Sequence, residues 1–185
     1  MKTTKKKISA TLAVSISLVA ATSACSTTLT SSTGSLSRVH IYNSLEELVS
    51  DTPNIIVGKV KASEVSHDEQ LKMDVTLATV EVFNDSKAEY GDTVIVRQTG
   101  STNSDVGSTY MQVNKVYAIF AVQSDQTAAA ETEFDIRGVD AGIYEADGAV
   151  STAAAALASD ATYHRLDAQT PDKLPATIHL SDIIG

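Results

Sequence analysis

The chain has no tryptophan, only three prolines and a single cysteine among its 185 residues. One cysteine excludes any disulfide within the chain, so the fold must be held by core burial rather than covalent staples. The aromatic set is thin, at six tyrosines and three phenylalanines. Tyr42, Tyr90, Tyr110, Tyr117, Tyr144 and Tyr163 are scattered and read as core and turn fillers, not as a stacking platform for sugars or bases. Positive charge is scarce, with 14 basic side chains against 23 acidic ones and a formal charge of −9. Such a surface repels nucleic-acid phosphates and anionic lipid, so neither is expected as a partner. Catalytic signatures are missing too. There is no G-x-S-x-G elbow, no H-E-x-x-H helix and no EF-hand loop. His40, His67, His164 and His179 are far apart in sequence, and His67-Asp68-Glu69 reads as a solvated turn. No cofactor, metal site or enzymatic activity is expected.

The N-terminus is informative. Lys2, Lys5, Lys6 and Lys7 form a positive head, Ile8 to Ala21 is apolar apart from small hydroxyl residues, and Thr22-Ser23-Ala24 leads to Cys25. These are the three parts of a secretory signal peptide, and the apolar part is shorter than the roughly 20 residues a membrane-spanning helix needs. A lone cysteine directly after small residues resembles the lipobox of bacterial lipoproteins, whose cleavage leaves the cysteine N-terminal and lipidated. Thr22 departs from the usual leucine, and Thr22 with Ala24 also satisfies the A-x-A rule for plain secretion with a free thiol. The expectation is a signal peptide at 1–24 and lipidation at Cys25, with anchorage to the bacterial cell membrane on its extracytoplasmic side. Losing the four lysines of the head leaves ten basic against 23 acidic side chains, a formal charge of −13.

Residues 25–37 follow as the modified cysteine and a Ser/Thr-rich tether, with neither apolar content nor periodicity. One domain is expected over 38–185, a length sufficient for a single core. Ser44 with Glu47 forms a capping box ahead of a short helix that Pro53 ends. Strands are predicted at 55–65, 71–83, 93–99, 116–122 and 132–138. In the second, Met73, Val75 and Leu77 share one face and Ala78, Val80 and Val82 the other, which calls for a bulge or for passage between two buried surfaces. Val116 to Val122 is continuously apolar and reads as a strand covered on both sides. A hairpin is predicted between Gly142-Ile143-Tyr144 and Ala149-Val150 about Asp147-Gly148. The remainder, with Ala153–Ala158 as a short helix and Ile178–Leu180 as a short strand, reads as a weakly structured tail.

The order of capped helix, Ile56-Val57-Gly58-Lys59-Val60, Val80-Glu81-Val82-Phe83, Gly91-Asp92-Thr93 through Gly100, Tyr117-Ala118-Ile119-Phe120 and Gly142-Ile143-Tyr144 resembles a largely uncharacterised family of secreted or lipid-anchored bacterial proteins. The resemblance implies a mainly β fold, a small OB-like antiparallel β-barrel similar in shape to the tissue inhibitors of metalloproteinases. It covers roughly residues 44–150. Asn84-Asp85-Ser86-Lys87 replaces the family's Lys-Gly, and Asn114 replaces a glycine, a change that asparagine tolerates at positive φ. Metalloproteinase inhibition does not carry over, because that chemistry needs a free N-terminal cysteine in a disulfide-stapled segment.

The candidate binding patch is Arg97, Gln98, Thr99 and Ser101, a rare cation on a strand that leads into the turn-rich segment Gly100 to Ser108 at a barrel mouth. The plainer reading pairs Arg97 with a neighbouring carboxylate. The functional expectation is a non-catalytic protein-interaction module of the cell envelope, contacting an envelope or extracellular protein through the loop 99–110 and adjoining strand edges. The alternative is a small-ligand or glycan-binding lipoprotein that uses the same mouth.

Overall fold

The structure, a computed structural model, describes residues 40–85, 90–102, 109–125, 132–148, 150–166 and 171–184. The expected signal peptide, Cys25 and the tether lie outside the described residues.

Helix α1 (Leu45–Asp51) begins where the capping residues place it. The Ser44 hydroxyl accepts from the Glu47 N–H at 3.2 Å, and the Glu47 carboxylate accepts from the Asn43 N–H at 2.7 Å. The reciprocal arm of the box thus reaches one residue further back than the standard motif. Leu48 is the residue that α1 buries completely.

Five strands follow, β1 (Asn54–Asp68), β2 (Met73–Asp85), β3 (Thr93–Thr99), β4 (Val116–Gln123) and β5 (Glu133–Ile136). They close into a ring in the order β1-β2-β3-β5-β4-β1. The fold is therefore mainly β, with the five-stranded closure that an OB-like arrangement requires. The expectation of purely antiparallel pairing fails at one seam. Strands β3 and β5 run parallel, with Ile95 opposite Glu133 and Arg97 opposite Asp135. The long connection through β4 allows it, since parallel neighbours need a crossover.

The apolar patterning divides into two cores. Inside the ring pack Ile56, Val60, Ala78, Val80, Val96, Ile119 and Phe134. On the outer surface of β1 and β4, Ile55, Val57, Ala118 and Phe120 meet Tyr42 and Leu48 from one side and Tyr144, Tyr163 and Ile178 from the other. Strand β4 is continuously apolar because each of its faces belongs to one of these cores. Two of the buried tyrosines spend their hydroxyls on backbone: Tyr144 donates to the Pro175 carbonyl at 3.2 Å and Tyr163 to that of Ala156 at 2.6 Å. Burial pushes both phenols up to about 12.

The two-phase pattern of β2 comes from its two faces meeting different surroundings, and the bulges of its ladder with β1 lie outside the switch at Leu77 and Ala78. Register shifts between Val57 and Gly58, and between Val60 and Ala62, leave Phe83 and Lys61 as extra residues in the β1–β2 ladder. Ala78 and Val80 face the interior, whereas Val75 and Leu77 line a separate outer groove. Gly58 sits at the first shift, and a Cβ there would come within 2.5 Å of both the Glu81 carbonyl oxygen and Val80 Cγ1.

Two expectations are corrected. Strand β6 (Ile143–Ala146) is not an arm of the predicted hairpin; it lies between β4 and β7 (Thr162–Arg165). Asp147-Gly148 still turns the chain, with the Val150 N–H donating to the Asp147 carbonyl at 2.8 Å. The tail is also not weakly structured. Strands β7 and β8 (Thr177–His179) continue the sheet, with helix α2 (Ala153–Ala156) before them and a 3-10 turn (Leu180–Asp182) after. Ala156, Tyr163, Ile178, Leu180 and Ile183 form one side of the outer core, and burying that surface is what orders them.

Candidate functional site

The feature that stands apart from both cores is the far half of the β1–β2 hairpin. Strand β1 pairs with β4 only from Asn54 to Lys59, and the last links to the next segment are Val60 N–H to the Lys115 carbonyl (3.0 Å) and Asn114 N–H to the Val60 carbonyl (2.8 Å). Asn114, at φ +71°, then turns that segment away, in the conformation its replacement of glycine anticipated. From Ala62 to Asp68, β1 has β2 on one side and, among the described residues, no strand on the other. The extra residue Lys61 also shifts the alternation. Ser63 and Val65 share the face of Ala78 and Thr76, while Glu64, Ser66 and Asp68 share that of Leu77, Val75 and Met73.

Each face of this arm borders a groove. One, of about 480 Å³, runs between Ser63–Val65 and Thr109–Gln112, with Thr76 and Met111 in its lining. The other, of about 340 Å³, is lined by Ser66 to Gln70, Val75, Leu77, Arg97 and Glu133.

The second groove contains a buried charge network. Arg97 donates from one terminal nitrogen to Asp68 and from the other to Glu133 Oε1 at 3.0 Å, and its Nε lies 3.3 Å from Asp135 Oδ1. Asp68 and Glu133 are as deeply buried as Arg97, whereas the Asp135 side chain is 37% exposed. Asp68 is fixed from its other oxygen, which accepts from the Gln70 and Leu71 N–H groups, both at 2.8 Å. The Leu71 N–H and then Arg97 hold the Asp68 carboxyl below the usual range. Burial alone would lower the Arg97 guanidinium, but the hydrogen bonds it donates to Asp68 and Glu133 overturn this and hold it above its ordinary value. Asp135 moves the other way, raised chiefly by burial despite its bond to Ser124.

The sequence-predicted patch is not one surface. Arg97 faces outward into this network, so the plainer reading of it is the correct one. Gln98 faces the ring interior, where its amide clamps the Thr109 carbonyl (3.2 Å) and the Met111 N–H (2.9 Å). The Thr99 carbonyl accepts from the Tyr110 hydroxyl at 3.3 Å, and Ser101 is fully buried. Gln98 and Thr99 thus hold 109–111 in place as one wall of the first groove, and do not themselves offer a binding surface. Residues 103–108 of the expected loop lie outside the described residues.

Sequence reasoning missed the arm itself. The signal was present in Lys61-Ala62-Ser63-Glu64, where β1 stops alternating and turns polar. Among the described residues no group of three or more His, Cys, Asp or Glu is placed to hold a metal ion, and no helix is long and apolar enough to cross a membrane. No family model and no curated protein matches the chain.

Proposed function

We propose that this chain is an exported interaction module, tethered to the cell membrane through lipid on Cys25, that presents the β1–β2 arm to another envelope or extracellular protein. The observation that carries this reading is the arm's open edge. A strand bordered by two grooves and, among the described residues, paired on one side only from Ala62 to Asp68 is the geometry that protein partners use. The Ser/Thr-rich tether holds such a surface clear of the bilayer, and the acidic balance limits contact with phosphates and anionic lipid.

In-cell crosslinking of the full chain, with a Cys25→Ala copy beside it, tests the reading. One dominant partner, reduced when the anchor is lost, is expected; no partner above background in either copy refutes it. A second reading, a small ligand or glycan in the first groove, is favoured by that groove's volume of about 480 Å³ and by Tyr110 in its wall. A saturable rise in melting temperature with soluble sugars or metabolites would favour it over a protein partner.

A further inference from the structure

We propose that the edge of β1 from Ala62 to His67 accepts an added strand, supplied by an extended partner segment that alternates apolar and basic side chains. This rests on the interaction-module reading above and names the chemistry of the partner.

The backbone sets the class of ligand. An open edge carries a row of N–H and C=O groups that only another extended chain can satisfy in series. Six residues at about 3.3 Å each give a docking length of roughly 20 Å. Edges are usually blunted by proline, lysine or a bulge. Here the bulge and the lysine both fall at residue 61, ahead of the open stretch, and Lys61 is drawn back to Glu81 at 3.2 Å. Beyond it there is neither proline nor lysine up to Asp68, and Val65 is left 49% exposed.

The faces set the alternation. Residues of an added strand that project on the side of Ser63 and Val65 enter the groove lined by Thr76 and Met111, where an apolar side chain gains most. Their neighbours project to the side of Glu64, Ser66 and Asp68. There one guanidinium stands among three carboxylates, an excess of two negative charges of which the partly exposed Asp135 lies nearest to solvent. The edge's other charges are already engaged: His67 pairs with Asp74 at 3.1 Å and Lys72 with Glu69 at 3.0 Å. Glu64 makes no ion pair or side-chain hydrogen bond among the described residues and is available to a cation. The formal charge of −9 favours a basic partner strand and opposes edge-to-edge pairing of two copies.

The test selects linear ten-residue peptides from a display library on the purified full chain, then measures a synthetic winner by calorimetry and by amide hydrogen exchange. Winners should alternate apolar and basic residues, and their binding should slow exchange at 62–67 and leave Thr177–His179 of β8 unchanged. Glu64→Lys and Val65→Lys, both at exposed positions and expected to melt as the parent does, should each weaken binding at least tenfold. Winners without alternation, protection at β8 instead of β1, indifference to both substitutions, or a dimer that Val65→Lys dissolves would each overturn the proposal. If the crosslinked partner survives both substitutions, the strand-addition site is wrong while the interaction-module reading stands; if no partner is crosslinked to the parent chain, that reading itself falls.

Discussion

Replacing Arg97 by methionine removes the cation from the buried network and leaves Asp68 and Glu133 facing each other without it. Breaking a buried pair by deleting one partner typically costs about 3–5 kcal/mol, because the remaining charge is uncompensated. The lower end applies here. The groove admits water on one side, Asp135 is partly exposed, and Asp68 keeps its two backbone N–H donors. A loss of about 3 kcal/mol at pH 7 corresponds, at about 1.5 kcal/mol per molar urea, to a midpoint lower by about 2 M. The pH dependence identifies the cause. In the parent chain Asp68 has a depressed folded value, so its contribution is present above the unfolded carboxylate range and is lost as pH falls through the folded value. Asp135 has a raised value, so its contribution is present below the unfolded range and is lost as pH rises through the folded one. Without Arg97 the stranded carboxylates take up protons in acid, so the deficit of the variant should shrink towards pH 3. Urea titrations of parent and Arg97→Met at pH 7 and pH 3 provide the comparison. A deficit below about 1 kcal/mol at pH 7, or an equal deficit at both pH values, would refute the electrostatic account.

Gly58→Ala forces a methyl to within 2.5 Å of the Glu81 carbonyl oxygen and Val80 Cγ1. It should cost about 2–3 kcal/mol and lower the melting temperature by roughly 5–10 °C in a calorimetric scan. Gln98→Leu strands the Thr109 carbonyl and the Met111 N–H, with an expected loss of about 2 kcal/mol and faster amide exchange at Met111 before Ile119 is affected. Val139 sits at φ +64°, a conformation that β-branched residues resist. Val139→Asn should therefore stabilise by about 1 kcal/mol in the same urea assay, and destabilisation would show that its side chain contributes packing worth more than the strain.

What the sequence made legible follows from the range of each interaction. The α1 cap depends on residues three and four apart, and Ser44 and Glu47 announced it. The doubly buried β4 needed only its own apolar run, and the turn at Asn114 only a residue that tolerates positive φ. Pairing across distance was less visible. Asp147-Gly148 is a strong turn signal that points β6 to a local hairpin, yet the partners of β6 are Tyr117–Ile119 of β4 and Tyr163–Arg165 of β7. Strand β7 is only four residues, Thr-Tyr-His-Arg, with one apolar-facing ring, too short for periodicity to register. Arg97 is unusual by composition alone, but its acidic partners stand 29, 36 and 38 residues away in sequence, so pattern leaves their identity open.

The same network links stability to the proposed binding edge. Strand β1 is buried from Asn54 to Val60 except for Lys59, then exposed from Lys61 to Val65, so the ring closes on its first half and gains little from the second. Each residue ordered without burial costs about 1–2 kcal/mol of backbone entropy, and an arm of this length needs a fastening at its tip. Asp68 is that tip. Arg97 holds it from β3, and the Gln70 and Leu71 N–H groups fix the turn beyond it. On this reading Arg97 acts as the clasp that keeps residues 62–67 extended, which is why it is buried and not open to a ligand. The two kinds of substitution should then separate. Arg97→Met should weaken peptide capture and lower stability together, and acid should restore stability in part. Glu64→Lys should weaken capture at least tenfold with the urea midpoint unmoved. Equal effects of both on stability, or capture that survives loss of the clasp, would mean that the arm is held by its ladder with β2 alone.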